Sequence, residues 1–396
     1  MTKHSFLYIS VFLLLLLFCE CKDSKTAKIS HLQSTIDSIK SKYVPDRRVN
    51  VFDIEISGII NDKPVIKGYT SSDSAYQELT RLIDKENLTD SIKMLPDNTL
   101  GDSIFGIINL SVADIRTKPD FSSEMATQAI LGTPVNILQK DDWYRIQTPD
   151  GYIGWTHKAN FQAMTESDFK IWKSSKKIVF TDYFGFSYLQ PDRNSQPVSD
   201  LVNCNFLKLE SESGDFYKIS YPDGRIAYVL KSQSKPYEEW VSSINLTGES
   251  IVKKAFTLMG IPYTWGGTSV KGMDCSGFTK SILLMHGVIL MRDASQQAYT
   301  GIPVDISKGY GNLQAGDMLF FGKKAEEDKK ERIRHVGFYI GNNEFIHASG
   351  FVRVSSLDKA KPNYDERNAT EFIRATRIVG AVDKERTNIW SVEKLK

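Results

Sequence analysis

The stretch Gly272-Met273-Asp274-Cys275-Ser276-Gly277-Phe278 decides the fold of the last third of this chain. An acid stands directly before a cysteine, and Phe278, Ile282 and Met285 follow at helical spacing. The pattern predicts a helix from Cys275 to about His286 with Asp274 as its cap. Cys275 then lies among unsatisfied N–H groups at the positive end of a helix, a setting that lowers a thiol's pKa and makes it a nucleophile. Its own backbone N–H can also face a developing oxyanion.

Working outward, a helix from Glu249 to Met259 stops at Gly260 and leads into the loop Tyr263-Thr264-Trp265-Gly266-Gly267. Beyond the cysteine helix, strands are expected at Asp317 to Phe321, His335 to Ile340 and Phe345 to Ala348. The turn Gly341-Asn342-Asn343 brings His347 roughly opposite His335. A thiol, a base and a polar residue that orients the base follow the logic of a Cys-His-X triad. Histidine is an unusual third member, yet a neutral imidazole can accept a hydrogen bond and fix the tautomer. The charge-rich segment 323–334 reads as a solvated insertion that runs straight into His335. No His-Glu-x-x-His and no paired Cys-x-x-Cys occurs, so no metal and no other cofactor is expected.

Further upstream the chain repeats itself. Gln147-Thr148-Pro149-Asp150-Gly151-Tyr152-Ile153-Gly154-Trp155 recurs as Ser220-Tyr221-Pro222-Asp223-Gly224-Arg225-Ile226-Ala227-Tyr228, an offset of 73 residues (Asp150 to Asp223). Each copy sets a Pro-Asp-Gly turn between short alternating strands. Segments 104–163 and 178–234 therefore read as two small SH3-like β-barrels in tandem. Before them, 22–100 reads as a polar linker helix followed by a β-β-α-β unit, with Ser74 as a possible cap of its helix. This unit weakly resembles bacterial BON-type modules and carries no catalytic constellation.

The N-terminus reads as an export signal over 1–21. Lys3 and His4 precede an apolar run from Phe6 to Phe18, too short for a stable membrane anchor. Cys19 and Cys21 directly follow, which resembles a bacterial lipoprotein signal with one of them lipidated; plain secretion is the alternative. Of four cysteines only Cys204 and Cys275 remain for the folded body, too few for a disulfide framework. Cys204, amid Leu201, Val202, Phe206 and Leu207, reads as a small core residue. A formal net charge of +2 over 396 residues, with no basic block, argues against a nucleic-acid partner.

At Asp274-Cys275-Ser276-Gly277-Phe278, with His335 and His347 spaced behind, residues 246–383 closely resemble the NlpC family of bacterial cell-wall cysteine peptidases. The resemblance implies an α+β fold in which a papain-like catalytic domain follows the two barrels. It implies Cys275 as nucleophile, His335 as base, His347 as orienting member and Tyr263 as a hydroxyl at the oxyanion site. Asp274, Ser276 and Trp265 would contact substrate. Tandem SH3-like domains resemble the subgroup cleaving γ-D-glutamyl-L-diamino acid bonds in peptidoglycan-derived peptides with a free N-terminal L-alanine. There Asp293 and Glu124 would bind the ammonium group, with Tyr152 or Trp155 completing the wall, and Ala294 departs from the serine of some members. Buried ammonium without a paired carboxylate binds unfavourably, which gives those acids a physical reason. The expected protein is an exported enzyme of the periplasm or outer membrane, attached to membrane by a lipid, and a monomer. The alternatives are a hydrolase of intact peptidoglycan and a non-catalytic, lipid-anchored wall-binding protein.

Overall fold

The computed structural model describes residues 27–61, 63–384 and 390–392. The apolar N-terminal run, with Cys19 and Cys21, lies outside the described residues. The chain divides into two units between Thr99 and Leu100.

In the first unit, Phe52–Ile60 pairs antiparallel with Lys63–Thr70, which pairs parallel with Thr89–Met94. The helix Asp73–Glu86 makes the parallel crossover. Its cap is Ser72, whose hydroxyl accepts from the Ala75 N–H, so Ser74 lies inside the helix rather than at its start. A second helix spans 27–43. It is not a linker: Leu32, Ile36 and Ile39 are buried in one cluster with Ile66, Leu79 and Leu82. Its apolar spacing is that of an amphipathic helix with a partner face, as such burial demands.

The second unit begins with two seven-stranded sheets. The first runs in the order Phe161–Met164, Phe105–Ile108, Pro134–Lys140, Trp143–Gln147, Ile153–His157, Val112–Arg116, Met125–Ile130. The second runs Ser234–Pro236, Lys177–Phe180, Phe206–Ser213, Phe216–Ser220, Ile226–Leu230, Phe184–Tyr188, Pro197–Val202. Copy for copy, the strand order is the same. Each sheet encloses its own apolar core, around Ile115, Ile137 and Ile146 in the first and Ile178, Leu207 and Ile219 in the second. Cys204 is buried at a left-handed turn position (φ 64) against Phe206, Tyr237 and Trp240, and burial pushes its thiol up to about 12.

A six-stranded sheet follows, in the order Ile302–Val304, Phe372–Arg377, Met318–Lys323, Arg332–Gly341, Glu344–Ser349, Phe351–Ser356. Helices Gly248–Phe256 and Cys275–Met285 bury Ile251, Ala255, Phe278 and Ile282 in one core with Met318, Phe320, Val336 and Phe338 of this sheet. Tyr339, Phe345 and Phe321 belong to a separate cluster. Strand alternation thus splits Val336 and Phe338 from Tyr339, as period-2 geometry requires. The result is α+β, with a papain-like domain preceded by two SH3-like barrels and a small α/β unit.

Candidate active site

The helix Cys275–Met285 starts at Asp274, whose side chain accepts from the Gly277 N–H at 2.7 Å. Cys275 is the first helical residue, so its N–H has no intrahelical acceptor. Glycine at 277 is required by contact: a Cβ there would sit 1.9 Å from the Gly267 carbonyl oxygen. The loop carrying Gly266 and Gly267 is thereby pressed onto the first turn. Gly266 (φ +79) gives its N–H to Asp274 at 2.9 Å, and a Cβ on it would meet the Met125 carbonyl of the first barrel.

Asp274 was expected to touch substrate, but its oxygens are engaged otherwise. It is buried and accepts from Gly277, Gly266, the Ser276 hydroxyl and both terminal nitrogens of Arg292, at 2.6 and 3.1 Å. A carboxylate is acceptor-only with about four lone-pair sites, and all are taken. Arg292 itself is 2% exposed and also donates to Ser276 Oγ at 2.9 Å and to Thr127 Oγ1 of the first barrel at 2.9 Å. Burial opposes its charge, but Asp274 outweighs burial and holds the guanidinium protonated. Ser276 keeps one lone pair beyond these bonds. Gln297, fully buried, braces the same turn by donating to the Ser276 carbonyl at 3.0 Å and accepting from Thr279 at 2.7 Å. Sequence reasoning missed both Arg292 and Gln297; the signal was that a buried, acceptor-only cap needs a cation.

His335 and His347 meet directly. Nε2 of His335 lies 2.6 Å from Nδ1 of His347, with rings edge-on at 82°. They are not opposite one another, since the register pairs Phe338 with Ile346. His347 sits against Gly337, where a Cβ would come within 2.9 Å of the His347 Cβ. Glycine clears that space and lets the imidazoles meet along a diagonal. Beyond, His347 Nε2 lies 2.9 Å from Ser355 Oγ. Burial lowers the pKa of both: His335 well below the ordinary value, helped by His347, and His347 to about 3, helped by Arg353 and Arg334. Both rings are neutral at neutral pH.

The thiol is also neutral. Burial pushes Cys275 up to about 12, and the adjacent Asp274 adds to the rise, while the N–H of Val336, the Arg292 charge and the N–H of Ser276 only partly oppose it. The expectation of a thiol lowered by its helix end is therefore reversed at rest, because Cys275 is only 7% exposed and a carboxylate caps the same turn. The Val336 contact sets the sulfur against the residue next to His335. Tyr263 is half-buried, and its hydroxyl is pushed upward by burial and by its neighbours Cys275 and Asp274. The arrangement suits proton transfer from thiol to a neutral imidazole during attack, with an N–H and a phenol beside the sulfur.

The first barrel supplies one side of the site. Trp265, 63% exposed, gives its indole N–H to Glu124 Oε1 at 2.6 Å. The Tyr152 hydroxyl lies 3.5 Å from Asp293 Oδ2, and Asp293 opens the short helix Ala294–Gln297. Gln128 binds both the N–H and the hydroxyl of Thr268. Lys280, on the cysteine helix, pairs with the buried Asp150 at 2.7 Å. Glu124, Tyr152, Trp265 and Asp293 are thus joined in two cross-domain pairs. Trp155 is not among them. It lies in the strand Ile153–His157 beneath the Arg145 guanidinium at 5.5 Å, and none of its described hydrogen bonds or ring contacts reaches the catalytic domain. Among the described residues, no group of three or more His, Cys, Asp or Glu is arranged to hold a metal ion.

Comparison with known proteins gives matches to the same regions. Residues 260–371 match the NlpC/P60 family, and residues 115–160 match a bacterial dipeptidyl-peptidase Sh3 domain. A gamma-D-glutamyl-L-lysine dipeptidyl-peptidase of Bacillus subtilis is 31% identical over 236 residues, covering 59% of this chain and 72% of that protein. Dipeptidyl-peptidase 6 of Lysinibacillus sphaericus is 27% identical over 275 residues, covering 67% and 96%. A solved NlpC/P60 family protein from Bacillus cereus superposes with a TM-score of 0.58 at 24% identity, over 69% of this chain and 99% of that one, a likeness of fold.

Proposed function

The chain belongs to the NlpC/P60 family of cysteine peptidases, and we propose that it hydrolyses the γ-D-glutamyl-L-diamino acid bond of peptidoglycan stem peptides or muropeptides bearing a free N-terminal L-alanine. The observation that carries this reading is the pair of cross-domain contacts, Trp265 with Glu124 and Tyr152 with Asp293. They bring two carboxylates to the junction between the first barrel and the cysteine helix. An ammonium group leaving water there gains charge-assisted hydrogen bonds that an acylated nitrogen does not. The Bacillus relatives' name, gamma-D-glutamyl-L-lysine dipeptidyl-peptidase, agrees with this substrate class.

In this reading Cys275 Sγ attacks the γ-carbonyl carbon of D-glutamate as His335 takes the thiol proton. The oxyanion is met by the Cys275 N–H and the Tyr263 hydroxyl. Collapse expels the diamino acid's amine, which receives the proton from His335 and leaves a thioester. Water, deprotonated by His335, then releases L-alanyl-D-glutamate and restores the thiol. Asp274 acts here as a clamp, and Ser276 can still accept one hydrogen bond from substrate.

The test is turnover of L-Ala-γ-D-Glu-L-Lys and its diaminopimelate counterpart, each with a free and an acetylated N-terminus. The free peptides are cleaved and the acetylated ones are not. Asp293→Asn, at a part-buried carboxylate, lowers kcat/KM at least about thirtyfold, since unpairing one member of a desolvated charge pair costs about 2–5 kcal/mol. Glu124→Gln, at an exposed one, lowers it no more than about fivefold, an exposed pair being worth about 1 kcal/mol or less. Equal cleavage of free and acetylated peptides rejects the ammonium site; turnover by Cys275→Ala rejects the mechanism. Release of fragments from intact sacculi would favour a wall hydrolase instead. The apolar run before Cys19 and Cys21 supports export and lipid attachment in the periplasm or outer membrane, to be checked by palmitate labelling of cells expressing Cys19→Ala and Cys21→Ala.

A further inference from the structure

Behind the two imidazoles stands a third polar group that the mechanism above does not use. Ser355 is 3% exposed on the strand Phe351–Ser356, where His347 is paired with Arg353. Ser355 lies two residues beyond Arg353 and so shares its face. Its Oγ is 2.9 Å from His347 Nε2, at the far end of a line running His335 Nε2, His347 Nδ1, His347 Nε2, Ser355 Oγ.

Two neutral imidazoles in series can be polarised in only two directions. In one, His335 Nε2–H donates to His347 Nδ1, His347 Nε2–H donates to Ser355, and Nδ1 of His335 is left bare to act as base. In the other, the Ser355 hydroxyl donates to His347 Nε2, and His347 Nδ1–H donates to His335 Nε2. His335 then carries its proton on Nδ1, where the base is needed, and cannot accept one from the thiol. A carboxylate in the third place would permit only the first direction, because it accepts and never donates. An imidazole adopts the first direction at little cost only where an acceptor stands behind its Nε2–H, and a hydroxyl supplies one.

We infer that Ser355 is a positioning residue which, by accepting from His347 Nε2–H, satisfies a donor that would otherwise be buried without a partner, and so permits the direction that leaves His335 free as base. The inference rests on His335 being that base. The chain of donors is cooperative, each bond strengthening the next, so the same acceptor also steadies the imidazolium formed when His335 takes the thiol proton. Charged groups around the pair are Arg334, Arg353 and Asp365 at His335, and Arg353 and Arg334 at His347.

The experiment combines ¹⁵N imidazole NMR at neutral pH with kinetics on the free-amine peptide, for wild type, Ser355→Ala and Ser355→Thr. In the wild type both histidines carry their proton on Nε2. In Ser355→Ala, His347 redistributes toward Nδ1–H and kcat falls about tenfold to a hundredfold, the size of loss seen when the outer hydrogen-bond partner of a metal-bound histidine is removed, with KM unchanged. Ser355→Thr, which keeps the hydroxyl, restores both. The inference is overturned if wild-type His347 is protonated on Nδ1, a result independent of any variant's folding. It is also overturned if Ser355→Ala keeps wild-type tautomers and kcat. The NMR arm needs no substrate, so a wrong peptide or an inert Cys275 shows in the kinetics alone.

Discussion

At the scale of single residues, the first turn of the cysteine helix trades reactivity at rest for rigidity. Asp274 caps the helix and is itself locked by Arg292, while burial of the neighbouring thiol, with the Asp274 charge adding to it, keeps that thiol protonated. Alkylation of Cys275 by iodoacetamide is therefore slow at pH 7 and climbs about tenfold per pH unit through the alkaline range, following thiolate fraction. A rate flat from pH 6 to 9 would mean a preformed thiolate–imidazolium pair and sink this account. Stability shows the matching signs. A thiol raised from 9.0 to about 12 contributes fully below pH 9 and loses that contribution as pH rises toward 12. His347, lowered from 6.5 to about 3, contributes fully above pH 6.5 and loses it as pH falls toward 3. The cap at Asp274 and the place of Cys275 in the helix's first turn were legible because helix signals are local. Arg292 was not, since its partner is 18 residues away and only burial makes a cation necessary there. Ser355 was hidden likewise, being one serine among many until the sheet set it behind His347.

At the scale of elements, the Pro-Asp-Gly repeat turns out to be a pair of joints. In the first copy, Asp150 is buried at the turn and pairs with Lys280 of the cysteine helix, while Thr148 donates to its other oxygen. Burial would raise its pKa, but Lys280 overcomes this and the net shift is downward. In the second copy, Asp223 accepts from Asn109 of the first barrel at 2.8 Å and from Arg225 beside it. The same turn thus ties barrel to catalytic helix once and barrel to barrel once. The two are unequal, because Lys280–Asp150 is desolvated (17% and 4% exposed) whereas Arg225–Asp223 is wetter (37% and 26%). Asp150→Ala leaves Lys280 largely buried and unpaired, and should cost about 3–5 kcal/mol in urea unfolding and lower kcat. Asp223→Ala should cost about 1 kcal/mol or less with kcat unchanged. Equal losses would show that the two joints do the same job. The repeat itself was plain in the sequence. What each aspartate faces was not, because the facing residues lie on other domains.

At the scale of the molecule, the two units differ in what they carry. Residues 27–99 bury their own core, with the helix over 27–43 laid into it; polar composition made that helix look like a linker, and only its three buried apolar positions reveal otherwise. Every residue assigned to the candidate site lies beyond Leu100. A chain beginning at Leu100 should therefore fold cooperatively and cleave the free-amine peptide with kcat/KM close to that of the longer chain. A chain beginning at residue 246 should not. It would keep Cys275, His335 and His347, yet Arg292 would lose Thr127, Thr268 would lose Gln128, Lys280 would lose Asp150, and Trp265 would lose Glu124. All four losses fall on the cysteine helix or on segments bonded to it or pressed against it, so the damage is to the frame of Cys275 as well as to substrate binding. Lost binding alone would raise KM and spare kcat; a loosened frame lowers kcat too. Measuring both for the two truncations separates a barrel that merely recognises substrate from one that also holds the catalytic turn in place, and the buried Arg292–Thr127 and Lys280–Asp150 contacts argue for the second.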